Sequence, residues 1–304
     1  MTQFDVIGFG ALNVDKLYKV NRIANAEEES FIEYYTEACG GSAANTIVGL
    51  ARLGCKTGFI GKVGCDRESK MVIQDLCIEG VNIDGIIQAS KGKSGTVLGF
   101  IDRKGDRALY VDPGENDNIT FSEINQDYII NTRFLHLSSF VGNESFESQK
   151  KLLEVLPDSI KVTFDPGILY AHKGFDAIKS MIKKTSVLMP NLNELKLLTR
   201  KSNYKEGADF MIQQGIEIVA VKLGSSGSYV TNGNESYTVE PFEVDVVDTT
   251  GAGDAFCAGF ISGLINEENL YDCARIGNFV SSRKIMKLGA RAGLPFTRDL
   301  DSLD

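Results

Sequence analysis

Histidine is nearly absent: the 304 residues hold two, His136 and His172. They are too few and too far apart for a metal centre built on imidazole, and His136, inside RFLHLSSF, reads as a strand residue. Redox motifs are missing as well. None of the six cysteines (Cys39, Cys55, Cys65, Cys77, Cys257, Cys273) forms a C-x-x-C pair. Most sit in apolar or helical contexts, as expected for reduced core thiols of a cytoplasmic protein. No stretch approaches the ~20 apolar residues of a membrane span. The opening MTQFDVIGFG has no basic segment followed by an apolar run, so a secretory leader is not expected. Positive charge is in deficit, 32 Lys and Arg against 41 Asp and Glu, a net charge of −9. That argues against non-specific binding to nucleic acid or an anionic membrane. Repeats and low-complexity segments are lacking too.

Two glycine motifs fail for want of one residue. Gly8-Phe9-Gly10 follows a strand-like FDVIGFG but lacks the third glycine of a dinucleotide fingerprint, and VDKLYKV after it alternates like a strand. Gly49 and Gly54 have the spacing of a phosphate loop, but Cys55 stands where its lysine belongs, and TIVGLARLG reads as helix.

What remains is a hydrophobic content of 43% and a chain long enough for a large α/β domain with an appendage. Strands are expected at 4–9, 11–20, 30–37, 57–64, 95–102 and 107–112, the last two a hairpin around Lys104-Gly105-Asp106. Helices are expected at 43–53 and 67–78. From about 118 the rhythm becomes strand and helix in alternation. Strands fall at 134–138, 160–165, 186–189 and 217–222, and helices at 144–156, 174–183, 193–199 and 204–214. Short strands near 227–231 and 235–240 and helices at 253–265 and 269–287 complete the chain. This order predicts an α/β fold with a mostly parallel sheet and helices on both faces. Its ligand lies outside the carboxyl ends of the strands. Segments 11–37 and 95–112 break the rhythm and are expected to form a small β lid.

Residues 245–261, DVVDTTGAGDAFCAGFI, place small residues where a loop gives way to a helix. The first N–H groups of a helix lack partners and its dipole favours negative charge, so Gly251, Ala252 and Gly253 suit an anion. Asp254 in the same turn would repel phosphate. It suits either a base for an incoming hydroxyl or simple stabilisation of the helix start. A second cluster, Cys39-Gly40-Gly41-Ser42-Ala43-Ala44-Asn45, again sets glycines before a helix. Alone it reads equally as an ordinary strand-to-helix turn.

Together the clusters resemble the ribokinase/PfkB family of carbohydrate and nucleoside kinases. GGSAANTIVGLARLG with Gly61 and Gly64 matches one family signature, and DTTGAGDAFCAGFI matches a second. GFGALNVDKL, KVGCDRES, MPNLNEL and VKLGSSGSYV are similar to other family segments, so the likeness spans nearly the whole chain. It implies a single ribokinase-like domain over 1–304 that uses ATP and Mg²⁺. Asp254 is then the general base, and Gly251, Ala252 and Gly253 line the anion hole. Asp15, Gly41, Ser42 and Asn45 belong to the acceptor side. Asn191 and Glu194 organise Mg²⁺ through water. Lys222, Gly224, Ser225 and Gly227 lie along the nucleotide, with Asn278 near its base. Asp248 and Thr250 fall where many members hold a monovalent cation such as K⁺.

One departure bears on the acceptor. Ser42 stands where members acting on sugars such as ribose, and the phosphofructokinase type, usually carry lysine. FLHLSSFVGNES also has no glutamate where ribokinases place one. An unphosphorylated sugar or polyol is therefore expected, with a nucleoside as the alternative and a non-catalytic binding protein as the remote one. Arg103, Lys104 and Arg107 flank the lid hairpin turn and are expected to face solvent. The lid's sheet edge and apolar surface suit a homodimer.

Overall fold

Short apolar runs between turn residues build the main sheet. The structure is a computed structural model describing residues 3–104 and 106–303. β1 (Phe4–Phe9), β4 (Thr57–Val63), β8 (Thr132–Ser138), β9 (Lys161–Asp165), β10 (Val187–Leu188) and β11 (Ile218–Lys222) run parallel. β5 (Asn82–Gln88) adds a parallel edge beside β4, and the antiparallel pair β12 (Ser228–Thr231) and β13 (Ser236–Val239) closes the other side. The order is β13-β12-β11-β10-β9-β8-β1-β4-β5. Every residue of β4 is buried, as a strand covered on both faces requires.

Helices cover both faces. On one lie α1 (Ser42–Arg52), α2 (Arg67–Ile78), α9 (Ala252–Ile265) and α10 (Leu270–Ile285), packed on Val6, Phe59, Phe134 and Ala220. The other carries α3 (Gln126–Ile129), α4 (Asn143–Val155), α5 (Gly167–Lys173), α6 (Phe175–Ile182), α7 (Leu192–Thr199) and α8 (Tyr204–Gln213), packed on Ile7, Leu135, Phe164 and Val219. Among the described residues no helix is long and apolar enough to cross a membrane.

The two segments expected as a lid form a separate sheet. β2 (Asn13–Val20), β3 (Ile32–Gly40), β6 (Gly95–Ile101) and β7 (Arg107–Asp112) are ordered β3-β2-β6-β7. Tyr18 stacks between Tyr35 at 4.9 Å and Phe100 at 5.2 Å, joining three strands by their rings. Gly105, expected at the hairpin turn, lies outside the described residues. β3 runs three residues beyond the expected end, directly into the Gly40-Gly41 turn.

Three elements were not expected, among them α3, a single turn of four residues. β5, NIDGIIQ, lacks a clean alternation because it is an edge strand interrupted by Gly85. A Cβ at Gly85 would lie 2.6 Å from the Tyr128 ring, a contact made by a residue far along the chain. α5 is only seven residues long, too short to show helical periodicity. The strand expected at 186–189 contracts to Val187–Leu188.

Candidate active site

The start of α9 is set by Gly251, its N-cap, at φ 77°. This left-handed backbone favours glycine, and a Cβ there would lie 3.0 Å from the Ala290 carbonyl. Ala252 N–H donates to Thr249 O at 3.1 Å. The N–H groups of Gly253 and Asp254 have no backbone acceptor among the described residues, so they face outward at the positive end of the helix. Lys222, at the end of β11, brings its ammonium over this turn: a Cβ on Gly253 would lie 3.3 Å from Lys222 Nζ. The same Nζ donates to Asp165 Oδ2 at 2.5 Å. Burial resists the charge on Lys222, but Asp165, Cys257 and Glu194 outweigh it and hold its pKa above the ordinary lysine value. Lys222 therefore sits at the anion end of the site.

Asp254 is gripped from α1. Ser42 Oγ donates to Oδ1 at 2.7 Å and Asn45 Nδ2 to Oδ2 at 2.8 Å. Burial raises the Asp254 pKa, and the Asn45 and Ser42 donors oppose the rise. Each carboxylate oxygen keeps a second lone pair, so an incoming hydroxyl can still be met. Asn45 is aimed by Arg291, whose Nε donates to Asn45 Oδ1 at 2.8 Å. The rest of that buried guanidinium binds Asp75 and the Gly40 carbonyl. Gly41, at φ 107°, passes so close to the Ala11 carbonyl that a Cβ there would overlap it. Asp15 faces this end of the site. Burial lifts its pKa to about 6; Arg291 pulls it down and Asp254 pushes it up.

A cleft of about 760 Å³ extends from Asp254 past Lys222 to Phe242 and Val246. Gly224, Ser225 and Gly227 form a tight turn on its wall. Asn278 also lines it, but its amide donates to the carbonyls of Val239 and Glu240 at 3.0 and 2.9 Å, anchoring the wall. Asn191 and Glu194 meet in a capping box at the start of α7. Asn191 Oδ1 accepts from Glu194 N at 2.9 Å, and Glu194 accepts from Asn191 N and Nδ2 at 2.8 and 2.7 Å. Glu194 is raised to about 7 by burial and then by Asp165. Among the described residues no cluster of three or more His, Cys, Asp or Glu could hold a metal. Mg²⁺ in phosphoryl-transfer sites needs only one or two carboxylates with water and phosphate oxygens, and Glu194 with Asp165 fits that demand.

Asp248 and Thr250 lie beside the α9 start. Asp248 Oδ1 accepts from Thr250 N at 2.9 Å and Oγ1 at 2.7 Å, and Oδ2 accepts from Gly289 N at 2.8 Å. Of the lid cations, Arg103 pairs with Glu33 and Lys104 is exposed. Arg107 is exposed too, as expected, and it also makes one contact towards the site. Its Nη1 donates to Thr250 Oγ1 at 3.3 Å, because β7 carries it across to the loop before α9.

Sequence reasoning missed Asp165 and Arg291, and it placed Arg107 in solvent without its contact to Thr250. Asp165 had a usable signal, since it ends a parallel strand at the carboxyl edge where ligands collect. Arg291 and Arg107 gave none, because their partners lie far away in sequence.

The sequence model of pfkB family carbohydrate kinases matches residues 4–297. A protein of Archaeoglobus fulgidus, named an uncharacterized sugar kinase, is 45% identical over 255 residues, 83% of this chain and 100% of that one. An ATP-dependent ribose-1-phosphate kinase of Halopiger xanaduensis is 31% identical over 287 residues, 94% of each chain. The fold matches the crystal structure of Methanocaldococcus jannaschii nucleoside kinase, described as an archaeal member of the ribokinase family. The TM-score is 0.88 at 22% identity, over 100% of this chain and 99% of that one.

The pKa of Asp15 has a consequence for stability. Its folded value, about 6, lies above the ordinary aspartate value of 3.8. Ionised Asp15 therefore destabilises the fold at every pH above about 6, and the penalty fades as pH falls towards 3.8. Asp15→Asn should stabilise the unliganded protein by about 1–3 kcal/mol at pH 8. That gain should vanish below about pH 4, where both states are protonated. Urea unfolding across this range measures it, and a difference that ignores pH would contradict the assignment.

Proposed function

The chain belongs to the pfkB family of carbohydrate kinases, and on that premise we propose that it transfers the γ-phosphoryl group of ATP to a hydroxyl of a small unphosphorylated sugar or polyol. The observation that carries the reading is Asp254: a half-buried carboxylate held by two donors, within the open first turn of α9. Raised by burial, it is a better proton acceptor than a free aspartate. It takes the proton as the acceptor oxygen bonds to the γ-phosphorus and the bond to the ADP oxygen breaks. The N–H groups of Gly253 and Asp254, beside Gly251 and Ala252, receive the charge of the moving group, with the Lys222 ammonium alongside. Glu194, oriented by Asn191, would hold Mg²⁺ with Asp165; bound, the ion neutralises the β and γ phosphates. The nucleotide lies along Gly224, Ser225 and Gly227, between Phe242 and the wall that Asn278 anchors.

The acceptor end supports an uncharged polyhydroxy substrate. Asp15, Ser42 and Asn45 are short polar groups beside the Gly41 backbone. Arg291, the nearest buried cation, has every nitrogen engaged. Binding a phosphate dianion there would need an uncommitted cation. A sugar phosphate is the second reading: Arg107 reaches Thr250 from the lid, and the Halopiger relative bears a sugar-phosphate kinase name. A nucleoside stays the alternative within the family. A protein that only binds is disfavoured by the coexistence of Asp254, Lys222 and Glu194 in one cleft. The reading places the enzyme in the cytoplasm. It also includes a homodimer through the lid, whose edge strands β3 and β7 have no partner strand on their outer sides among the described residues. The lid exposes Phe31 at 72%, Tyr34 at 63% and Tyr110 at 62%.

Asp254→Asn should lower kcat by at least ~10²-fold while ATP affinity is kept, and Glu194→Gln should raise the Mg²⁺ concentration needed for half-maximal rate. Steady-state kinetics and ATP titration decide both, and an Asp254→Asn enzyme with parental turnover would remove Asp254 as the base. Assayed for ADP release with free sugars, polyols, nucleosides and sugar phosphates, the protein should give its highest kcat/KM with a free sugar or polyol. A sugar phosphate in first place would overturn the acceptor assignment and point to Arg107. Light scattering should give a dimer mass that Tyr34→Asp with Tyr110→Asp reduces to a monomer; a parental monomer rules the interface out.

A further inference from the structure

The resemblance places a monovalent cation at Asp248 and Thr250, yet the residues there do not fit a free ion. Lys284, in the last turn of α10, is completely buried, with 0% of its side chain exposed. Its ammonium donates to the Asp248 carbonyl at 2.7 Å and lies 4.0 Å from Asp248 Oδ2. A charge taken out of water at such cost has to be matched by oxygens facing it, and here those oxygens belong to Asp248.

The surrounding backbone is organised about the same point. Val247 N and Asp248 N both donate to Ile285 O, at 2.8 and 3.0 Å, tying the loop to the end of α10. The Asp248 carboxylate in turn holds Thr250 and Gly289. Thr250 leads directly into Gly251, the cap of α9. One fixed positive charge thus braces the loop that presents the open N–H groups. A second cation on the same oxygens would stand within a few ångströms of the first in a medium that screens poorly.

We infer that Lys284 is a built-in cation, a positioning residue whose ammonium does for the 248–251 loop what a diffusible monovalent ion would do, and that this chain acts without such an ion. The inference rests on the phosphotransfer reading for its kinetic consequence, but its structural half stands alone. Replacing Lys284 by Met removes the charge and leaves oxygen ligands around the vacated space. The Asp248 carbonyl and carboxylate then face the place the ammonium held, where K⁺ or NH₄⁺ can be offered to them.

The test compares the parent, Lys284→Met and Lys284→Gln in choline chloride, KCl and NH₄Cl at equal ionic strength. ADP is detected directly, and melting temperatures are read in the same buffers. The parent should turn over at rates within about twofold in all three salts. Lys284→Met should lose at least ~10-fold in choline, about 1.4 kcal/mol in barrier, and regain most of it in KCl or NH₄Cl. Its melting temperature, and that of Lys284→Gln, should rise with either ion while the parent's does not. A parent activated more than about threefold by K⁺ would overturn the inference. So would variants whose rates and melting temperatures ignore both ions. If the parent phosphorylates no acceptor, the kinase reading fails, and the melting temperatures alone decide the role of Lys284.

Discussion

A carboxylate drawn partly out of water at the start of a helix has to be held by donors, or it protonates. Asp254 meets that requirement through α1, whose first turn offers a hydroxyl and an amide at 2.7 and 2.8 Å. Much else in the molecule follows from keeping those two donors in place. Gly41 must adopt a backbone conformation that brings α1 against the Ala11 carbonyl. Arg291 must cross from the C-terminal segment to fix the Asn45 amide with its nitrogen towards Asp254. An Asn45 turned the other way would set oxygen against oxygen, so the guanidinium acts on the base at one remove.

Positive charge around the helix start is likewise supplied in advance. Lys222 approaches from the sheet, balanced by Asp165, and Lys284 approaches from α10, set on the Asp248 carbonyl. Neither ammonium has to be recruited when a phosphoryl group arrives, so little reorganisation accompanies the development of charge. The desolvation of both lysines is offset elsewhere, by the carboxylates and the sheet that surround them. The start of α9, Gly251-Ala252-Gly253, is itself only glycine and alanine, and the positive charge beside it comes from neighbours.

The α/β architecture was legible because the strands are short, apolar and bounded by turns, and because the helices between them are long enough to show their period. The glycine clusters were legible because their chemistry is local: backbone approach, an open helix end and an acid in the same turn. What escaped was non-local. Arg291 and Asn45 are 246 residues apart in sequence, and no spacing rule connects them. Arg107 reaches Thr250 only because the lid pairs β6 with β7 over the loop before α9. Lys284 gave no signal, since a basic residue in a helix's last turn is ordinary. Asn191 and Glu194 were recognised as a pair, but their mutual capping appears only in three dimensions. Asn278 shows the same limit, since a polar residue predicted to face a base spends its donors on the wall behind it.

β3 enters α1 without a linker. Gly40 ends the lid strand, Gly41 turns the chain, and Ser42 begins the helix and holds Asp254. Lid and carboxylate are therefore two arms of one lever with its fulcrum at the glycine pair. Any tilt of the lid is delivered as a displacement of the Ser42 hydroxyl. On the proposed function, a bend that admits an acceptor would then also trim the aim of the carboxylate that meets it.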